Sequence, residues 1–144
     1  MKVVRKFNLD GIKAWMFLAK IAVALGELAG KGENGYYPIG VVMGATFPQD
    51  AEIMKAIIPY GFKLVPGLKA QGGKADEAVV SVNDDGLGFI GASSRGTSYA
   101  YNPVSKSEFQ RDARFFATAA ALETKQERDA LNDAVHRRIG KLPW

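Results

Sequence analysis

Apolar residues recur along this chain in two alternating rhythms, one helical and one extended. Over residues 9–29, Trp15, Met16, Phe17, Leu18, Ile21, Ala22, Val23, Leu25 and Leu28 surround nearly a whole helical circumference, and Gly30 and Gly32 are stop signals. Residues 39–45 form a continuous apolar run of strand length, the pattern of a strand buried on both faces. Pro48 then suits a first helical turn, Asp50 and Glu52 suit the positive end of its dipole, and Pro59 closes that helix. A second strand is predicted over 62–66, a short helix over 74–82 ended by Asn83-Asp84-Asp85-Gly86, and a third strand over 87–91. The tail opens on Ser105-Lys106-Ser107-Glu108, a capping-box spacing, and continues as an alanine-rich helix.

Strands separated by helices imply parallel pairing with right-handed crossovers, hence an α/β fold. Three parallel strands close poorly on themselves. The first helix sharpens the point, because a helix apolar all round wants cover on more than one side. It is either an ordinary packed helix with an interface stripe or a helix whose surroundings lie partly outside this chain. The 144 residues suffice for one domain with a core and not for two comfortable ones. The division is therefore one domain over 1–144: a helix over 9–30, strand–loop–helix units over 39–101, and a helical segment over 105–139.

Composition removes several functions. There is no cysteine, which excludes disulfides and thiolate metal sites and fits a reducing cytoplasm, and the single histidine, His136, excludes a histidine-rich metal site. The net charge of +4 is not a nucleic-acid signature. Residues 41–102 hold five basic side chains (Lys55, Lys63, Lys69, Lys74, Arg95) against six acidic ones (Asp50, Glu52, Asp76, Glu77, Asp84, Asp85). The positive excess sits in mixed-sign segments at the two ends, with no basic stripe interleaved with aromatics. The basic start and the apolar stretch at 14–19 imitate a secretory signal, but Lys20 interrupts that stretch well short of the length a membrane span requires. The expectation is a cytoplasmic chain without a membrane or nucleic-acid partner.

Two loops carry the chemistry. Pro66-Gly67-Leu68-Lys69-Ala70-Gln71-Gly72-Gly73 and Gly91-Ala92-Ser93-Ser94-Arg95-Gly96 each follow a predicted strand. Glycines let backbone approach a ligand closely and aim N–H groups at an anion. Gln71 adds an amide donor, and Arg95 adds a permanently charged fork that matches phosphate. No GxxxxGK[ST] is present and no GxGxxG opens a helix, so neither the P-loop nor the dinucleotide-binding solution applies. The remaining solution is a barrel in which loops after the seventh and eighth strands hold phosphate.

Gly40-Val41-Val42-Met43-Gly44-Ala45-Thr46, then Leu64-Val65-Pro66-Gly67 leading to Ala70-Gln71-Gly72-Gly73, then Ser93-Ser94-Arg95-Gly96, resemble the carboxyl-terminal half of orotidine 5'-phosphate decarboxylase, nearest its longer bacterial subfamily. The resemblance covers roughly residues 12–138. It implies part of a (β/α)8 TIM barrel, with the three strands matching the sixth, seventh and eighth, and a long C-terminal helix. The family converts orotidine 5'-phosphate to uridine 5'-phosphate in pyrimidine biosynthesis, without cofactor or metal. The resemblance makes Gln71 and Arg95 phosphate ligands, with Gly72, Gly73 and Gly96 beside them and Lys69 and Ser94 as possible further contacts. Lys69 stands where the family usually has another glycine. The family's Asp-x-Lys-x-x-Asp array is missing, since Asp10-Gly11-Ile12-Lys13 has the wrong order and spacing. No catalytic residue is therefore assigned to this chain.

Plainer readings stand beside these. Arg95 could cap a helix or pair with Asp84 or Asp85, Gln71 could be an ordinary loop amide, and Lys69 and Lys74 could be solvated. Tyr99, Tyr101, Phe109, Phe115 and Phe116 read as core packing, and His136 as a charge at a helix C-terminus. Two functions compete. One is a decarboxylase half that binds a nucleotide monophosphate and needs a complementary amino-terminal half. The other is a non-catalytic half-barrel that binds nucleotide or sugar phosphate, or assembles as a homo-oligomer.

Overall fold

The computed structural model describes residues 8, 9, 12–68, 73–101, 115–140 and 142. The chain opens with an antiparallel pair, β1 (Asn8–Leu9) and β2 (Ile12–Lys13), in register Leu9↔Ile12. Helix α1 (Ala14–Ala29) follows directly. The helix expected from residue 9 thus starts at 14. The residues between the two short strands are Asp10-Gly11, a dipeptide that favours two-residue hairpins over helix. Its end is as expected: Gly30 takes φ +78, and its N–H reaches the Gly26 carbonyl.

Three parallel strands then form one sheet in the order β3 (Val41–Val42), β4 (Lys63–Pro66), β5 (Phe89–Ala92). Backbone bonds from Val41, Met43 and Ala45 to the carbonyls of Phe62, Leu64 and Pro66 carry the β3–β4 pairing to residue 45. Helix α2 (Pro48–Ile57) makes the first crossover, with Pro48 in its first turn and Asp50 at its positive end. The second crossover is only one helical turn, α3 (Ala75–Ala78), continued by a 3-10 turn over Val79–Ser81. The residues of that turn, Val79, Val80 and Ser81, are all buried, and β-branched side chains favour helix weakly. After β5 comes the short α4 (Arg95–Ser98), and the longest helix among the described residues is α5 (Phe116–Ile139), closed by left-handed Gly140. The capping-box residues 105–108 and Phe109 lie outside the described residues.

The helices cover one face of the sheet. Lys63 and Val65 of β4 point into the main core with Met43, Ala45, Met54, Ile58 and Val80. Side chains alternate along a strand, so Leu64 points the other way, and register places it between Val42 and Ile90. All three are exposed. The expectation that the strand in 39–45 is buried on both faces is therefore corrected, since Val42 is exposed: among the described residues only the helix-side face of the sheet has cover. Helix α1 repeats the pattern. It buries Ala19 and Gly26 while Phe17, Leu18, Ile21, Leu25 and Leu28 stay exposed. Among the described residues no helix is long and apolar enough to cross a membrane.

Candidate phosphate site at the carboxyl ends of two parallel strands

Parallel pairing in the register Pro66↔Ala92 brings β4 and β5 to an end side by side. The loops they feed leave the sheet at the same edge. Gly67 turns the first loop with φ +99, a conformation other residues adopt at a cost. The loop then returns on itself, because Leu68 bridges Gly73 and the Gly73 N–H donates to the Gly67 carbonyl at 3.2 Å. Gly73 is buried, and a Cβ there would stand 2.7 Å from the Cβ of Ala45. Its glycine serves the close approach of loop to sheet, and its N–H is already used within the loop. Lys69, Gln71 and Gly72 lie outside the described residues. At the base of the two loops, a Cβ on Gly91 would meet the Leu68 side chain at 3.5 Å, so they share a floor.

The second loop is fully described. Ser94 precedes α4, and the Ser94 and Arg95 carbonyls accept from the N–H groups of Ser98 and Tyr99. Ser94 and Arg95 are both exposed. The plainer pairing of Arg95 with Asp84 or Asp85 is absent. Asp84 faces Lys55 at 3.2 Å, and Asp85 accepts from the Tyr36 hydroxyl at 2.8 Å. Gly96 is half-buried, and its Cα lies against α5: an added Cβ would stand 3.0 Å from Glu127 Oε1 and 3.1 Å from Ser93 Oγ. A fork of permanent positive charge at an exposed strand end, beside a second loop of glycines, can bind an anion and hold its geometry. It cannot by itself move a proton from carbon or stabilise a carbanion.

Other residues fall elsewhere. Tyr99, Phe115 and Phe116 are exposed, which corrects the expectation of core packing for these three; Tyr101 is half-buried, 6.5 Å from Tyr99. His136 occupies the exposed last turn of α5. Among the described residues no group of three or more histidine, aspartate or glutamate side chains could hold a metal ion. Two features carried no sign in the residue pattern. Glu127 is a charged residue buried in α5. Lys63 is fully buried at the opposite end of β4, where its Nζ donates to the Ile58 carbonyl at 3.3 Å and to Asn83 Oδ1 at 3.4 Å. Burial pulls the Lys63 pKa down to about 8, helped by the charge of Lys55 and opposed by Asp85. Asn83 also donates to the Tyr36 hydroxyl at 2.8 Å, and burial raises the Tyr36 pKa to about 12. Beside this network an open groove of about 650 Å³ runs between Tyr36, Lys55, Tyr60, Asn83 and Asp84. It lies at the amino ends of the strands, away from both loops.

No protein-family model matches the chain. The chain is 35% identical over 104 residues to orotidine 5'-phosphate decarboxylase of Caldicellulosiruptor bescii, a match covering 72% of this chain and 32% of that protein. It is 31% identical over 129 residues to orotidine 5'-phosphate decarboxylase of Clostridium tetani, covering 90% of this chain and 42% of that one. In fold it is similar to an orotidine-monophosphate decarboxylase of Toxoplasma gondii, with a TM-score of 0.65 at 18% identity, over 92% of this chain and 46% of the other. The chain therefore spans well under half the length of the curated relatives it matches.

Proposed function

We propose that this chain, a partial relative of the orotidine 5'-phosphate decarboxylases, is the phosphate-gripping carboxyl-terminal half of their barrel and needs a complementary amino-terminal half for decarboxylation. The observation that carries the reading is the Pro66↔Ala92 register, which starts the 67–73 and 93–96 loops from adjacent strand ends, the place where such barrels bind phosphate. In this reading Arg95 takes two phosphate oxygens with its guanidinium, Gln71 adds an amide, and the backbone at Gly72, Gly73 and Gly96 lets the anion approach. Lys69 and Ser94 stand within the same loops as further contacts. Binding energy from the phosphate would position the reacting pyrimidine. The lysine framed by carboxylates that the reaction needs has no counterpart in this sequence, which contains no Asp-x-Lys-x-x-Asp. The chain supplies the handle and the partner half supplies the chemistry, in a cytoplasmic pyrimidine-biosynthetic setting.

A second reading has its own observation. The exposed row Val42, Leu64 and Ile90, with the exposed stripe of α1, suits a half-barrel that assembles without catalysing. The test is calorimetric titration of uridine 5'-phosphate, and of inorganic phosphate, into the parent and its variants. Removing a bidentate charged contact costs on the order of 1.5–3 kcal/mol, so Arg95→Ala should bind roughly ten- to a hundredfold more weakly. Arg95→Lys should recover part of the loss, because the ammonium keeps the charge without the fork. Equal binding by Arg95→Ala and the parent would remove Arg95 from the site.

A further inference from the structure

Glu127 is 6% exposed, and among the described residues its Oε1 has no hydrogen-bond partner. Leaving a buried carboxylate oxygen unfilled is costly, and native structures keep few such atoms. Its location is specific. Oε1 borders the space that a side chain at position 96 would fill, 3.0 Å from the Cβ that Gly96 lacks, and Ser93 Oγ stands 3.1 Å from the same point. Thr97 Oγ1 donates to Ser93 Oγ at 3.4 Å, so two hydroxyls and one carboxylate gather behind the segment that presents Arg95. Hydroxyl protons rotate freely, and Ser93 can turn its own toward an acceptor. The carboxylate comes from α5, which packs against α4.

We propose that Glu127 is a positioning residue for the Ser93–Gly96 loop. It rests on the phosphate-site reading above. The carboxylate stands against the backbone at Gly96 and offers its unfilled oxygen to the Ser93 hydroxyl, which holds Arg95 in place for an anion without touching that anion. Glycine at 96 is then required by Glu127 as well as by any ligand. Simple charge makes the opposite prediction, since a buried negative group near a phosphate should weaken binding, and removing it should strengthen binding.

The experiment combines amide hydrogen exchange over residues 92–98 with uridine 5'-phosphate titration, on the parent, Glu127→Gln, Arg95→Ala and the double variant. Glu127→Gln keeps the size of the side chain but swaps one acceptor oxygen for a donor. Positioning predicts exchange at least about fivefold faster over 92–98, with the rest of the chain unchanged. It also predicts about five- to tenfold weaker nucleotide binding, and no further weakening when Glu127→Gln is added to Arg95→Ala. Glu127→Asp should restore part of the affinity, since the charge and both acceptor oxygens remain. Unchanged exchange, tighter binding, or equal weakening with and without Arg95 would overturn the proposal. If the parent itself binds no nucleotide, the phosphate-site reading fails, and the exchange data still decide whether Glu127 holds the loop.

Discussion

Lys63 points its whole side chain into the helix-covered face of the sheet, where hydrophobic residues surround it and two carbonyl-type oxygens receive its ammonium. A lysine with a pKa near 8 in the fold and 10.5 in the open chain costs stability wherever it must be charged in both states. The unfolded chain binds the extra proton between those values, so stability rises with pH from about 8 to about 10.5. Each pKa unit is worth about 1.4 kcal/mol, which makes the full effect on the order of 3 kcal/mol. Tyr36 acts in the other direction. Its pKa near 12 in the fold, against an ordinary 10.0, means stability present below pH 10 is lost as pH climbs toward 12. Denaturant unfolding at stepped pH should therefore show a maximum near pH 10. Lys63→Met should flatten the rise above pH 8 and raise stability at pH 7, because replacing a buried charge by an apolar side chain removes its desolvation cost. A parallel pH profile for parent and Lys63→Met would contradict this account of Lys63.

Helix α1 shows how an element can depend on a residue that propensity disfavours. Gly26 sits inside the last turn of α1, where alanine would ordinarily gain up to about 1 kcal/mol. Here the ring of Tyr37 lies against it, and an added Cβ would stand 2.7 Å from Tyr37 Cγ, close to the backbone end of that side chain. Gly26→Ala should lose about 1–3 kcal/mol by overpacking, read as a lower midpoint in thermal unfolding; a higher midpoint would show that the ring yields. The sequence made this element legible in part. Its apolar stripe and Gly30 stop were plain, whereas the β1–β2 pairing takes residues that the apolar rhythm alone placed next to or within the helix. The strands were legible because parallel strands are apolar runs bounded by turns. Helix α5 hid its most informative residues, since Glu123 and Glu127 lie buried, Glu127 against Gly96 of α4, and hydropathy reads a glutamate as solvated. The loop candidates were legible by residue type, but not the use of the Gly73 N–H inside its own loop.

At the scale of the whole chain, the three-stranded parallel sheet has, among the described residues, two edges and one uncovered apolar face, and both invite a partner. Sedimentation velocity at micromolar concentration should show association, and Val42→Glu, at an exposed site on the open face, should shift it toward monomer without lowering thermal stability. A stable monomer in the parent would leave that face unexplained by assembly. The central claim is a division of labour, with phosphate recognition here and proton and carbanion chemistry elsewhere. The measurement that tests it most directly is orotidine 5'-phosphate turnover by the chain alone, and by the chain mixed with an amino-terminal barrel half that carries Asp-x-Lys-x-x-Asp. The account predicts no turnover alone, turnover in the mixture, and loss of most of that turnover with Arg95→Ala. Steady turnover by the purified chain alone, abolished by substituting one of its own residues, would contradict it.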